Sequence, residues 1–270
     1  MNLVLGSNGL LGKTLSATLE KEKSIFLDRA ELVDWDDSDI SISQAKFFSE
    51  YGKRLSRIFV AVGETNSQAS SDQLLKANFS LPRNLLEIGK DYGFRVITFG
   101  TIHEESSIDS PYVVSKKMYR DHVIGCQPES FLHFQLHTLY SLERAHAHSF
   151  LGQIINSLRC ETVFNMSSGR QLREFHNVNR DAESIINIAF STKIAHSIHP
   201  LSHGNITKLS DLAQTVFASL SKLDLLKIGS LPDPINEVYD LDFFSKFPVT
   251  QSVGVSVVDE IVDTIKRNLL

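Results

Sequence analysis

Gly6-Ser7-Asn8-Gly9-Leu10-Leu11-Gly12 follows the short apolar run Leu3-Val4-Leu5 and opens a helical pattern, Leu11, Leu15, Leu19. Glycines at these places let the backbone turn sharply and come close to a pyrophosphate. The helix behind them turns free N–H groups and the positive end of its dipole toward phosphate. Strand, glycine turn and helix in that order predict a dinucleotide-binding turn lined by Gly6, Asn8, Gly9, Leu10, Leu11 and Gly12. Glycine-rich turns also join strands to helices where nothing binds, so the remainder of the chain has to agree. The first strand starts at residue 2, and no other domain is expected before it.

Working outward, β-rich runs alternate with amphipathic patterns. Ser24–Leu27, Arg57–Val62, Phe94–Thr98 and Phe131–Leu136 read as strands, with helices expected over Ser43–Tyr51, Gln73–Lys90 and Pro111–Ile124. The alternation predicts an α/β fold, a doubly wound parallel sheet of the Rossmann kind, with ligands bound past the C-terminal strand ends. After about residue 145 the rhythm changes. Phe150–Leu158 reads as helix and Val163–Val178 as irregular and polar. His203-Gly204-Asn205 marks a loop before a helix over Leu209–Leu220, capped by Ser210-Asp211. A last helix carries Val258, Ile261, Val262, Ile265 and Leu269 on one face. The expected division is a nucleotide-binding domain over 1–145 and a smaller substrate-binding lobe over 146–270, parts of which return to the first sheet.

Of the 270 residues, 22% are charged and 42% hydrophobic, and the formal net charge is −5 without a dense basic block. That profile suits a soluble globular protein and argues against a nucleic-acid partner. Cys126 and Cys160 stand in unrelated contexts, which suits a reducing compartment better than a disulfide framework. Neither a signal-peptide pattern nor a bilayer-length apolar run is present, so a cytoplasmic protein without membrane contact is expected.

Asp28 closes the second strand. A carboxylate there accepts hydrogen bonds from adenosine ribose hydroxyls, which favours NAD. Arg29 follows and could meet the 2′-phosphate of NADP instead. The cofactor is NAD or NADP, with the balance toward NAD, unless Asp28-Arg29 is a solvated loop pair. Asp34-Trp35 could flank the adenine; Trp35 could equally be a core or surface aromatic. The chemical centre is Tyr112-Val113-Val114-Ser115-Lys116. Residues four apart share a helix face, which sets the Tyr112 phenol beside the Lys116 ammonium. A neighbouring cation is expected to lower the phenol's pKa and make it an acid or base at neutral pH. Pro111 suits the first turn of that helix.

These residues resemble the extended short-chain dehydrogenase/reductases that modify nucleotide-linked sugars. The resemblance rests on Gly6/Gly9/Gly12, Asp28 and Tyr112/Lys116 and covers nearly the whole chain. It implies a catalytic trio of Thr101, Tyr112 and Lys116, with Thr101 just past the fourth strand. It also implies cofactor contacts from Ala61, Val62 and Gly63, from the helix asparagine Asn78, and from Lys116. Substrate contacts are implied for Thr65, His103, His137 and Arg173, the last within Arg173-Glu174-Phe175, which is similar to the family's Arg-Asp-Phe. Leu27-Asp28-Arg29-Ala30-Glu31-Leu32 looks like the dTDP-4-dehydrorhamnose reductase branch. Pro111-Tyr112 and the short Thr101–Tyr112 segment look like abequose and paratose synthases. The chain departs from the family at Gln135, where an arginine is common, and at Thr98-Phe99-Gly100-Thr101, where serines are usual.

The implied activity is NAD(P)H-dependent reduction of a 4-keto group on a nucleotide-linked deoxysugar, in the making of cell-surface polysaccharide such as lipopolysaccharide. A 4-epimerase and an inactive nucleotide-binding or regulatory member are the alternatives. Ile102-His103 after Thr101 weighs against a 4,6-dehydratase, for which Asp-Glu is expected there. Glu104 and Glu105 read as solvated loop charges. The pairs His133/His137, His146/His148 and His196/His199 have ligand-like spacing but join no cysteine or acidic cluster, so no metal is expected. The resemblance implies a homodimer, for which Leu81, Leu85, Leu86 and Val113 could form a contact if they do not face the sheet.

Overall fold

The computed structural model describes residues 1–32, 34–35, 39–66, 68–127, 130–141, 143, 149–191 and 197–269. In chain order the first part holds β1 (Asn2–Leu5), α1 (Leu10–Thr18), β2 (Ser24–Leu27), α2 (Ile42–Tyr51), β3 (Arg57–Val60), α3 (Ser71–Leu75), α4 (Leu81–Tyr92), β4 (Arg95–Thr101), α5 (Pro111–Cys126) and β5 (Phe131–Leu136). Next come β6 (Thr138–Tyr140), α6 (Phe150–Cys160), β7 (Phe164–Met166), β8 (Leu172–Asn177), α7 (Val178–Phe190) and β9 (Ser197–Pro200). The chain closes with β10 (Ile206–Lys208), α8 (Leu209–Ser219), β11 (Leu226–Ile228), α9 (Asp242–Ser245) and α10 (Val257–Leu269). Contacts group these into two units, Met1–Leu136 with Asn179–Pro200, and His137–Val178 with Leu201–Leu270.

The first unit is built on a parallel sheet in the order β2-β1-β3-β4-β5-β9. From β1 the chain steps out to β2, then returns to place β3 on the other side of β1. That reversal opens a crevice at the carboxyl ends of these strands, the place where doubly wound sheets bind ligands. Leu3, Val4 and Leu5 are fully buried, as expected of a parallel strand covered on both faces. One core layer joins Leu3, Leu5 and Ile58 to Leu81, Leu85 and Leu86 of α4. Those three leucines, like Val113 of α5, are buried within their own chain, so they face the core rather than a dimer contact. Trp35 belongs to this core as well, 3% exposed and 5.2 Å from the Phe47 ring, which removes it from any role against adenine.

Two arginines hold the end of α7 to this unit. Arg57 Nε and Arg95 Nη1 donate to the Ala189 carbonyl at 3.0 and 3.2 Å, and the Arg57 guanidinium lies over the Phe190 ring. Cations suit the carbonyl-rich C-terminal end of a helix.

The fourth strand is longer than the sequence pattern suggests. Its pairing with β5 runs from Val96–Phe131 to Thr101–Leu136, so Thr101 ends the strand instead of following it. In the second unit the stretch 163–178 is not irregular. It contains β7, which pairs with β11, and β8, which lies between β10 and β6. Partners far along the chain make these strands, and β8 buries Glu174, His176 and Asn177, so its polar composition hides it from periodicity. The core of this unit joins Ile154, Phe175, Leu212, Val216, Phe217 and Ile261. Ser210-Asp211 do not cap α8: Lys208 holds the cap position, without a side-chain hydrogen bond, and both residues lie inside the first turn.

Candidate active site

The glycine turn is tight enough to require glycine at positions 6 and 12. Gly6 has φ +83, in the left-handed region, and its N–H and that of Ser7 donate to the Leu27 carbonyl at 2.8 and 3.1 Å. A Cβ on Gly12 would lie 2.0 Å from the Gly6 carbonyl oxygen, so α1 can pack this closely on the turn only with glycine there. Gly9 is the N-cap of α1; no side chain caps the helix and no acid stands in its first turn. The turn therefore presents an uncapped, uncrowded helix N-terminus, which fits a dinucleotide pyrophosphate. The Leu11 side chain is buried, which leaves only its backbone to face the turn.

Asp28 faces this turn. Its Oδ2 accepts from Asn8 Nδ2 at 3.0 Å, and its Oδ1 caps the short turn Arg29–Glu31 through the Ala30 and Glu31 N–H groups. Arg29 is not a free cation awaiting phosphate. Its Nη1 lies 3.0 Å from Glu64 Oε2. Glu64 also accepts from the Thr65 and Asn66 N–H groups through Oε1. Burial alone would raise its pKa, and the Asn66 N–H and Arg29 outweigh that and hold it below the usual carboxylate range. Asp34 is exposed, with φ +67.

Past the ends of β3 and β4, Gly63, Asn78 and Lys116 come together. Asn78 lies in a wide π-type turn, Lys76–Ser80, between α3 and α4. It accepts from Glu64 N at 3.1 Å, donates to Glu64 O at 2.9 Å, and reaches Ser115 Oγ at 3.0 Å. Gly63 sits beside it, and a Cβ there would meet Asn78 Oδ1 at 3.1 Å and Lys116 Nζ at 3.5 Å. Ala61 and Val62 lie between β3 and this point and are half-buried. Lys116 is buried, and its Nζ donates to the Phe99 carbonyl at 2.8 Å. Burial pushes its pKa down to about 8 against an opposing effect of Glu104.

Tyr112 stands one turn before Lys116 in a helix that Ser110 caps, with Pro111 at its start. The expected lowering of the phenol pKa is not what the structure gives. Burial, and after it the negative charge of Glu104, push the Tyr112 phenol up. The ammonium expected to stabilise the phenolate is turned to the Phe99 carbonyl. Thr101 Oγ1 accepts from the His103 N–H at 3.3 Å, which leaves the hydroxyl proton to donate elsewhere.

Glu104 and Glu105 are not both solvated. Glu104 is 1% exposed and sits under the site. Its Oε1 accepts from Thr101 N at 3.0 Å; its Oε2 faces His133 Nε2 at 3.0 Å and accepts from Gln135 Nε2 at 3.1 Å. Glu105 pairs with Arg120 and accepts from Gln135 Nε2. His133 is thus a buried partner of a carboxylate, with Thr98 Oγ1 2.8 Å from its Nδ1. Sequence reading missed Glu64, Ser115 and this network. One signal was available: Thr101-Ile102-His103-Glu104 has the spacing of a capping box, and both of its hydrogen bonds are present.

In the second unit, Arg173 pairs with Glu237. His137 is buried, its ring parallel to His176 with centroids 4.9 Å apart and packed on Phe244 and Phe247. Contrary to expectation, histidines do gather around an acid here: His137, Glu174 and His176 bring ligand-type atoms within 4.8 Å of one another. Glu174 is already engaged, accepting from His176, Ser202 and the backbone N–H groups of His203 and Gly204. Three of these donors meet Oε1 and one meets Oε2, and the cluster is a hydrogen-bond hub. His146, His148 and His196 lie outside the described residues.

The model of the NAD dependent epimerase/dehydratase family matches residues 2–189. The chain belongs to that family. Its structure is similar to dTDP-glucose 4,6-dehydratase DesIV from Streptomyces venezuelae, solved with NAD bound, at a TM-score of 0.76 and 16% identity, covering 98% of this chain and 96% of that one. MoeE5 in complex with UDP-glucose and NAD gives 0.76 and 16%, with 98% and 97% covered. The UDP-glucose 4-epimerase of Thermus thermophilus, in complex with NAD, gives 0.69 and 16%, with 99% and 98% covered. At such identities the likeness is one of fold. A search of curated sequences gives no match. Among its described residues, this family member has no helix long and apolar enough to cross a membrane.

Proposed function

We propose that this protein reduces a 4-keto group on a nucleotide-linked deoxysugar with NADH. The observation that carries the reading is the Tyr112/Lys116 pair on α5, with Lys116 Nζ at the Phe99 carbonyl near the end of β4 and beside Gly63 and Asn78. The glycine turn, Asp28, Asn78 and Lys116 would hold the dinucleotide. When bound, the nicotinamide supplies hydride to the ketone carbon. Tyr112 donates its proton to the oxygen that becomes alkoxide, and Thr101 hydrogen-bonds that oxygen and orients it. A phenol kept protonated by burial and by Glu104 suits a proton donor, the role that reduction needs.

A further point supports reduction over dehydration. Dehydration of a sugar needs an additional acid and base, and both carboxylates next to Thr101 are committed elsewhere. Glu104 is held by Thr101 N, His133 and Gln135, and Glu105 by Arg120 and Gln135. Nucleotide sugars as substrates are supported by the family and by neighbours solved with UDP-glucose or with UDP-N-acetylmuramic acid.

The test is a panel of dTDP-, CDP-, UDP- and GDP-linked 4-ketosugars added to the protein with NADH or NADPH, followed by nicotinamide absorbance. A reductase oxidises the added NADH. Interconversion of 4-epimers without added reduced cofactor would replace this reading with an epimerase. Binding without any turnover would replace it with a regulatory member.

A further inference from the structure

Three features of the first unit meet at the end of β4. Lys116 Nζ donates to the carbonyl of Phe99. Thr101, two residues on, offers its N–H to Glu104 Oε1. Gly100 lies between them, and a Cβ there would fall 1.9 Å from Glu104 Oε1 and 2.5 Å from His133 Nε2. The glycine gap is thus filled by a carboxylate, and that carboxylate is buried.

We propose that Glu104 is a positioning residue for this site: its carboxylate, clamped by Thr101 N, His133 Nε2 and Gln135 Nε2, fixes the end of β4 and holds a negative charge beside Tyr112 and Lys116. This rests on the reading of Thr101, Tyr112 and Lys116 as the catalytic trio. Besides the Thr101 N–H of β4, three elements bring titratable or polar groups to this carboxylate. β5 contributes His133 and Gln135, the turn after β4 contributes Glu105, and α5 contributes Tyr112, Lys116, Arg120 and Tyr119, whose ring lies 5.4 Å from that of His133. Arg120 donates to the Glu104 backbone carbonyl and pairs with Glu105, so its charge is engaged one residue away.

The consequence is electrostatic. Lys116 loses solvation by burial, and Glu104 is the charge that acts against that loss. Tyr112 feels the same charge in the opposite sense for reactivity, because an anion disfavours phenolate. One buried acid keeps the ammonium charged and the phenol protonated, the pair of states that a proton-donating site requires.

The experiment is a pH titration of Lys116 in the full-length protein, by NMR of isotope-labelled lysine with the Lys116 signal assigned from Lys116→Arg. It needs no substrate. A negative result here therefore differs from a failure of the reductase reading, which would show as no cofactor oxidation with any nucleotide sugar. The midpoint is expected at about 8 in the parent. Glu104→Gln keeps the shape and removes the charge, and is expected to lower the midpoint by about one pH unit. Glu104→Asp is expected to restore most of that loss. Glu105→Gln, whose carboxylate is partly exposed, is expected to leave the midpoint within about 0.3 pH unit. Gly100→Ala, which crowds the carboxylate out, is expected to act like Glu104→Gln. An unchanged midpoint in folded Glu104→Gln would overturn the proposal. So would a loss of folding in both Glu104→Gln and Gly100→Ala with a folded Glu104→Asp whose midpoint falls by about one pH unit or more although its charge is kept, since Glu104 would then be a core residue only.

Discussion

Arg29 and Glu64 reach each other over the carboxyl end of β1, their charged atoms 3.0 Å apart. One follows β2 and the other follows β3, the strands that flank β1. On the proposed reading, the ion pair engages the cation that could otherwise meet a 2′-phosphate next to Asp28. Glu64→Gln should therefore strengthen NADPH binding by roughly tenfold, the scale of a charge-assisted contact, and change NADH binding little. Titration of each nucleotide against protein fluorescence checks this. Equal gains for both cofactors would show that the pair only blocks the crevice and does not select.

Tyr112→Phe should lower turnover by roughly 10²–10⁴-fold, the share of a general acid, with melting temperature and NADH affinity held. Lys116→Met should lose both turnover and affinity, since its ammonium is the group beside Gly63 and Asn78. Lys116 also sets a pH limit. Its folded pKa is about 8, so the charged form dominates below that value and disappears above it. Turnover at limiting substrate should fall as pH rises through about 8. A rate flat to about pH 10, the ordinary lysine range, or a Tyr112→Phe protein with full turnover, would remove these roles.

The sequence carried the parts whose signal is local. Gly6 and Gly12 mark the turn because only glycine tolerates the φ of the first and the close packing of the second, and Tyr112/Lys116 follow from helical period alone. What stayed hidden depends on groups far apart in the chain. Glu104 looks like an exposed loop acid until β5 brings His133 and Gln135 to it. Arg29 looks free until β3 brings Glu64. β8 is hard to see because its pairing partners lie on β6 and β10 and its inward residues are Glu174 and His176, polar groups that satisfy each other. Trp35 reads two ways in sequence, and the aromatic cluster with Phe47 and Phe48 decides for the core.

Glu174 ties the second unit's stability to acid pH. Burial alone would raise its pKa, but the His176 hydrogen bond, the field of His137 and the His203 N–H outweigh it and hold the value at about 2, against 4.5 ordinarily. A depressed folded pKa contributes stability above the unfolded value and loses it as pH falls through the folded one. The contribution should be present at neutral pH, begin to fall below about 4.5, and be gone near 2, with a size of about 3 kcal/mol. Glu174→Gln should lower stability by about that amount at neutral pH and flatten the acid limb. Denaturant unfolding from about pH 7 down to about pH 3 checks it; parallel acid limbs for parent and variant would place the acid sensitivity elsewhere.

Gly12 and Gly9 should separate packing from ligand binding within one turn. A methyl on Gly12 would lie 2.0 Å from the Gly6 oxygen and 2.7 Å from the Gly6 carbonyl carbon, so α1 must move off the turn. Gly12→Ala should cost roughly 2 kcal/mol or more, at the upper side of overpacking, and lower the melting temperature with or without nucleotide. A methyl on Gly9 meets only the Gly6 oxygen, at 3.4 Å, and the φ of −71 there suits any residue. Gly9→Ala should melt with the parent when free yet gain less from added NADH, because its methyl stands at the helix N-terminus where the pyrophosphate approaches. Melting curves of both variants, each with and without NADH, decide it. A Gly12→Ala protein that melts with the parent would mean that α1 does not rest on the turn as closely as these distances require.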